Sequence, residues 1–208
     1  GTVPLQRGAE GVMGMRLRAA GWLAAWLATA AVWAAPPGID ARVSDPEVLD
    51  HLRRGFEVAP ESASETRALL AWLDQRLPPD PADVPPVVVA YRAALEGLQG
   101  KHSRLPWDKY RQTKAGLAKL DELVAAHPDS IEIRSLRFSF CSQLPEFFEK
   151  GPQAAADLAV LAEQFARGED PTVAGTYRQD LLRWLLQRGQ PTPSEREKLA
   201  AALGEPER

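Results

Sequence analysis

Apolar residues recur at spacings of three and four along the chain beyond residue 45, whereas the strict alternation typical of β-strands is nearly absent. Proline-rich breaks divide this pattern into pieces of helical length, and the longest break covers 78–85. The pattern therefore predicts an all-α fold. Helices are expected near 46–56, 62–77, 86–99, 107–126, 130–143, 152–167, 172–188 and 194–203.

Three of these helices begin with a capping-box pattern, in which a short polar side chain precedes the helix and an acidic residue follows three positions later. Each predicted helix has one apolar stripe that a neighbour must cover, and short connections favour antiparallel hairpins. Two architectures fit this pattern, a short solenoid of stacked hairpins and a compact helical bundle. The capping pairs are Ser62 with Glu65, Asp129 with Glu132, and Thr192 with Glu195.

The segment 13–37 has the pattern of a secretory signal peptide: two arginines, an uncharged apolar stretch and a small-residue exit. Cleavage after Ala34 is expected, because Val32 and Ala34 then occupy the positions that signal peptidase reads. An uncleaved anchor helix is the alternative, although the apolar stretch of about 15 residues is shorter than the roughly 20 that span a bilayer.

This interpretation divides the chain in two. Residues 1–34 are upstream residues plus the signal peptide, and 35–208 form a single exported domain, periplasmic or secreted. Within that domain we expect short N-terminal helices over 46–77, the linker 78–85 and the main helical part over 86–204.

The composition excludes several classes of protein. The 208 residues are 45% hydrophobic with a net charge of −3, which argues against disorder, and one cysteine excludes a disulfide scaffold. Removal of 1–34 takes away three arginines and one glutamate, leaving 22 basic against 27 acidic residues. Such an acidic chain has no overall electrostatic attraction to nucleic acid, so no nucleic-acid partner is expected.

Catalytic and metal-binding motifs are missing from the sequence. The three histidines are scattered, and no HExxH, CxxC, GxSxG or phosphate-binding loop occurs, so we expect neither a metal nor a cofactor. Cys141 is the one thiol that could act as a nucleophile, but Phe138 and Phe140 beside it favour apolar packing. A hydrolase using Cys141 or a carboxylate assembled from distant residues is the alternative function.

Basic residues are concentrated over 101–119, where one acidic residue, Asp108, stands among six lysines and arginines. Arg134 and Arg137 follow three apart on the next predicted helix and could form a fork-shaped site for an anion or a carboxylate. The alternative is a solvated helix face on which Arg134 pairs with Glu132 or another carboxylate. The six basic residues are Lys101, Arg104, Lys109, Arg111, Lys114 and Lys119.

The stretch 116–136 resembles the second helix of a tetratricopeptide repeat continuing through its closing proline, Pro128, into the next repeat. Gly116 and Leu120 match the family's small and large positions, whereas Leu123 departs from its alanine. Over 90–145 the chain is also similar to a group of uncharacterised exported bacterial proteins, a resemblance that implies a tetratricopeptide-like helical fold and no particular activity. The matching positions are Tyr91, Ala93, Lys101, Pro106, Lys109, Leu117, Pro128, Asp129, Glu132, Ile133, Arg134, Leu136 and Arg137.

The sequence thus favours a non-enzymatic, exported, tetratricopeptide-like protein that binds a protein or peptide on the concave side of the 86–144 hairpins. The basic segment favours an acidic partner and also allows peripheral contact with an anionic membrane surface. Aromatic residues on adjoining helices would line the groove, unless they belong to the core. The expected binding residues are Tyr91, Trp107, Lys109, Arg134 and Arg137.

Overall fold

The computed structural model describes residues 46–77, 83–168 and 170–204, and these ranges contain eight α-helices and no β-strand. The predicted all-α fold is confirmed. The expected leader, its cleavage site and most of the linker lie outside the described residues. The helices are α1 (Pro46–Val58), α2 (Ala63–Asp74), α3 (Pro86–His102), α4 (Pro106–Ala126), α5 (Ile131–Ser142), α6 (Gly151–Arg167), α7 (Gly175–Arg188) and α8 (Pro193–Leu203).

Two of the three predicted N-caps are confirmed. The Ser62 hydroxyl accepts a hydrogen bond from the Glu65 amide, and Thr192 with Glu195 forms a complete capping box. The third prediction is wrong by one residue: Ser130, not Asp129, caps α5 and accepts from the Ile133 amide. The Glu132 carboxylate that would close the predicted box is instead hydrogen-bonded to Arg53 of α1.

The start of α7 also differs from the prediction, which placed it at residue 172. The Asp170 carboxylate accepts hydrogen bonds from the Thr172 amide at 2.8 Å and from its hydroxyl at 2.7 Å, and this side-chain turn competes with the helix. Gly175 follows with φ of +58°, a conformation that glycine adopts readily. The helix begins only at this glycine.

The most extensive helix contact joins α3 and α4, because small residues let the two backbones approach closely. A Cβ at Gly116 would lie 2.6 Å from the Ala93 carbonyl oxygen and 2.8 Å from the Gly97 Cα. Any side chain at this position would therefore collide with the backbone of α3. Helix α5 packs against both α3 and α4, and α6 packs against α5. Helices α1 and α2 pack against α3, while α8 packs against α6 and α7.

A continuous apolar core runs through these contacts. Burial of leucine, isoleucine and phenylalanine side chains, each contributing about 2 kcal/mol, supplies the main stabilisation in the described part of the chain. The largest buried side chains include Phe138 and Phe165, both 2% exposed, with Leu52, Leu95, Leu120, Leu161 and Leu185 at 0%.

Candidate functional site

An apolar pocket of about 440 Å³ lies between α3, α4, α5 and the 3₁₀ turn Glu146–Phe148. Gly97 and Gly100 of α3 also line it, and both lie in close packing contacts, because a Cβ at Gly97 would collide with the Phe140 ring and one at Gly100 with the Thr113 hydroxyl. We refer to it as the α3–α5 pocket. Its walls include Leu98, Phe140, Leu144, Pro145, Phe147 and Phe148.

Aromatic side chains form a ridge at the edge of this pocket. The Tyr110 and Phe148 rings stack with centroids 5.6 Å apart, and Phe148 contacts Phe147 with a centroid separation of 4.5 Å. Trp107 precedes Tyr110 by three residues on α4, so the two share one helix face. We call Trp107, Tyr110, Phe147 and Phe148 the aromatic ridge.

The charged residues that line the α3–α5 pocket are both lysines, Lys101 and Lys109, and no carboxylate is among its described lining residues. The Lys101 ammonium lies 2.7 Å from the Glu61 carboxylate, in an exposed ion pair that solvent weakens. Lys109 has no ion-pair or hydrogen-bond partner within the described part of the chain. The pocket therefore combines an apolar interior with a positively charged rim.

A second cleft of about 580 Å³ lies beside the first and is lined by residues of α1, α3, α5 and α7. The two share Phe56, Pro60, Ser139 and Gln143, so they are neighbouring parts of one surface depression. The second cleft is more polar: its described lining includes the carboxylates of Glu57, Glu61 and Asp180, and the guanidinium groups of Arg53 and Arg188.

The floor of the second cleft is a buried hydrogen-bond network centred on Glu132, which is 2% exposed. Arg53 donates to the two carboxylate oxygens at 2.8 and 2.7 Å, and the Tyr91 hydroxyl donates to Oε1 at 2.8 Å. Burial, and the neighbouring Tyr177 and Glu132, hold the pKa of Tyr91 well above its usual value. Burial alone would lower the pKa of Arg53, but the hydrogen bond and charge of Glu132 outweigh it and raise that pKa.

Arg134 and Arg137, the predicted fork, both bind Asp157 of α6, a carboxylate that is 1% exposed. Arg137 donates through Nε and Nη2 at 2.8 and 2.6 Å, while Arg134 donates through Nη1 at 3.0 Å. Arg137 also reaches Asp121 at 3.0 Å. A protein carboxylate thus occupies the fork, and Arg134 pairs with Asp157 instead of Glu132.

The five residues expected to bind a partner are not brought together. Lys109 lines the α3–α5 pocket, whereas Tyr91 is 2% exposed and its hydroxyl is held by Glu132 beneath the second cleft. Trp107 is 66% exposed and lines neither cavity. Arg134 and Arg137 join α5 to α6.

The pocket residues that the sequence reasoning missed are Phe147 and Phe148. They belong to no predicted helix, and the turn that carries them ends at Glu149 with φ of +55°. The signal available in the sequence was the Phe-Phe pair that begins two residues after Pro145, since two large aromatic residues in a connection need a partner surface.

Cys141 lies in the core at 2% exposure. Burial, reinforced by the negative charges of Asp157 and Asp121, raises the pKa of its thiol to about 12, so the reactive thiolate is scarce near neutral pH. No cluster of histidine, cysteine and carboxylate side chains suited to a metal ion occurs among the described residues. In the same part of the chain, no helix has the length and apolar character needed to cross a bilayer.

No protein-family model, curated protein or solved structure matches this chain. The function proposed below is therefore argued from the geometry and chemistry of the cavities.

Proposed function

We propose that this protein is a non-enzymatic, exported, tetratricopeptide-like binding module. Its α3–α5 pocket takes an apolar side chain from a protein or peptide partner, and acidic residues of that partner lie against the lysines at the rim. The observation that carries the proposal is the combination of an apolar interior with two lysines and no carboxylate in the described lining.

The size and lining of the pocket support a side chain as its occupant. Ligand sites have volumes of roughly 300–1,000 Å³ and are mostly apolar with a few polar groups, and a volume of about 440 Å³ lies in this range. The rings of Tyr110, Phe147 and Phe148 offer large, rigid contact area, which is typical of residues that dominate binding energy.

The rim supports an acidic partner. Lys109 has no partner among the described side chains, so contact with a carboxylate would not require breaking an internal ion pair. Charged groups at a rim speed association and select partners of opposite charge more than they add affinity. The preferred ligand is therefore an aromatic or branched aliphatic residue flanked by aspartate or glutamate.

Selection from a random peptide library displayed on phage tests this preference, with the full chain immobilised. The peptides recovered are expected to share one large apolar residue next to acidic ones. Peptides with no common pattern, or enriched in lysine and arginine, would contradict the proposal.

Substitutions in the α3–α5 pocket test whether a selected peptide binds there. Binding is measured by fluorescence anisotropy. Phe147→Ala and Lys109→Glu should each weaken binding about tenfold or more. Val160→Ala and Arg196→Glu are matched controls, because they make similar changes at exposed positions on α6 and α8. Equal losses in the pocket and control variants would exclude the α3–α5 pocket as the binding site.

Export is tested separately by N-terminal sequencing of the protein recovered from the producing cell. The proposal expects a new N-terminus directly after Ala34 in the exported fraction. An intact N-terminus in the membrane fraction would favour the anchor alternative instead.

A further inference from the structure

Four of the six large apolar side chains that are strongly exposed in the described residues lie at the start of α4 and on the turn Glu146–Phe148 that packs against it. Leu105, Trp107 and Tyr110 stand at the start of α4 with 44%, 66% and 50% of their surface exposed. Phe147 is 71% exposed and joins them through the Phe148 ring, which stacks on Tyr110. Exposed apolar groups gathered in this way mark an interaction surface.

Tyr110, Phe147 and Phe148 of the aromatic ridge also line the α3–α5 pocket, but the ridge extends beyond it. Trp107 and Leu105 line neither cavity, and their high exposure means that no neighbouring element covers them. A side chain that fills a pocket would leave both residues in water. A ligand in the pocket therefore does not account for the exposure of these two residues.

Positive charge surrounds the ridge. Residues 101–114 carry five lysines and arginines against the single acid Asp108, which already pairs with Arg111 at 2.6 Å. Lys114 lies over the Tyr110 ring, 5.2 Å from its centroid, and Arg104 has no ion-pair partner within the described chain. Glu146 and Glu149 flank Phe147 and reduce this excess without reversing it.

The whole chain carries a net charge of −3, so the residues outside 101–114 are together strongly acidic. In front of a negatively charged plane, such a charge distribution turns the ridge toward the plane and the rest away from it. Tryptophan and tyrosine beside lysine and arginine are the side chains that settle at the boundary between lipid headgroups and acyl chains.

We propose that the aromatic ridge, together with Leu105, docks peripherally onto an anionic lipid surface, with Arg104, Lys109 and Lys114 contacting the headgroups. The contact is shallow and reversible, because it uses a few side chains and no inserted helix. This inference does not depend on the α3–α5 pocket having a peptide ligand.

A dye placed at the ridge tests the docking. The full chain is labelled with an environment-sensitive dye at Glu146→Cys, next to the ridge. A second sample carries the dye at Glu197→Cys on α8. The native Cys141 stays unlabelled in both samples because it is buried. Vesicles of equal parts phosphatidylglycerol and phosphatidylcholine should shift the emission at position 146 to the blue and leave position 197 unchanged. The local readout separates ridge contact from any contact made by the apolar segment 19–33.

Three further comparisons complete the test. Vesicles of phosphatidylcholine alone should require about tenfold more lipid for the same shift, and salt should weaken the contact. In the labelled protein, Trp107→Ala and Arg104→Glu should each lower vesicle affinity about tenfold, while the controls Val160→Ala and Arg196→Glu should not. Trp107 and Arg104 do not line the α3–α5 pocket, so these two substitutions should leave binding of the selected peptide unchanged.

Several results would overturn the docking. These are no shift at position 146, equal shifts at positions 146 and 197, or equal affinity for the two vesicle types. A ridge that binds a protein instead would give the first of these results with every vesicle. Peptide binding that survives the pocket variants, with vesicle docking of the natural chain intact, would count against the peptide proposal alone.

Discussion

Arg53 and Glu132, which are 79 residues apart in the sequence, form a two-pronged ion pair with nitrogen–oxygen distances of 2.8 and 2.7 Å. The pair joins α1 to the first turn of α5, and Tyr91 of α3 shares the same carboxylate. Arg53 also stacks on the Tyr177 ring, with 3.9 Å between the guanidinium carbon and the ring centroid. Glu132 and Arg53 together thus connect four helices, α1, α3, α5 and α7.

Glu132→Gln is expected to destabilise the fold by about 3–5 kcal/mol, because it leaves the largely buried Arg53 without its counter-charge. Urea unfolding followed by circular dichroism measures the change in the free energy of unfolding. Glu122→Gln is the matched control, since Glu122 forms an exposed pair with Lys119 and should cost about 1 kcal/mol or less. Similar losses in the two variants would contradict the role given to the network.

Asp157→Asn should also cost about 3–5 kcal/mol in the free energy of unfolding, because two arginines then face each other without a buried carboxylate. Asp121→Asn removes a contact to the same Arg137 from a carboxylate that is 38% exposed, and about 1 kcal/mol or less is expected. Chemical denaturation of both variants gives the comparison. A smaller loss for Asp157→Asn than for Asp121→Asn would show that Asp157 does not hold the two helices together.

Gly116→Ala tests the close approach of α3 and α4. Its Cβ would collide with backbone atoms of α3, which cannot swing aside as a side chain does, so a loss of about 1–3 kcal/mol is expected. Gly151→Ala is the control, because open space surrounds that position at the start of α6. It should leave the melting temperature unchanged or raise it slightly. Equal melting temperatures for the two variants would disprove the tight contact.

The raised pKa of the Cys141 thiol predicts how the free energy of unfolding changes at alkaline pH. Its pKa rises from the usual 9.0 to about 12 in the folded protein, so above pH 9 the unfolded chain loses the thiol proton while the folded chain keeps it. The contribution to stability is complete below pH 9 and is lost as the pH rises toward 12, with a slope of about 1.4 kcal/mol per pH unit.

The measurement compares unfolding free energies at pH 8 and pH 10 for the natural protein and for Cys141→Ala. The natural protein should lose more stability over this interval, and its thiol should react with alkylating agents only after unfolding. Rapid alkylation of the folded protein near neutral pH would reverse this conclusion and favour the cysteine hydrolase.

The helices were predicted within a few residues, because helix boundaries depend on local signals that the sequence carries. Ser62 and Thr192 cap their helices as expected, and Cys141 is buried beside Phe138 and Phe140. The five expected binding residues, in contrast, do not lie together at one site. Their residue types suit binding, but the choice between solvent, core and cavity depends on which distant segment covers each one.

Arg134 illustrates this difference. Its spacing from Arg137 correctly placed the two on one side of α5, but spacing could not indicate that Asp157, 23 residues beyond Arg134, lies between the two guanidinium groups. The turn carrying Phe147 escaped prediction for a related reason. A short 3₁₀ turn has no apolar period, and its position over the pocket is set by contacts with Tyr110 on another helix.

The amino-acid sequence by itself determined that the described chain is helical, where each helix lies to within a few residues, and which stripe of each helix is apolar, since these properties depend mainly on neighbours within about four residues. Only the tertiary structure decided that Glu132 and Asp157 bind the arginines, and that a pocket lies between α3 and α5. Hydrogen bonds and cavities of this kind arise between segments far apart in the sequence, and their formation depends on the packing of whole helices.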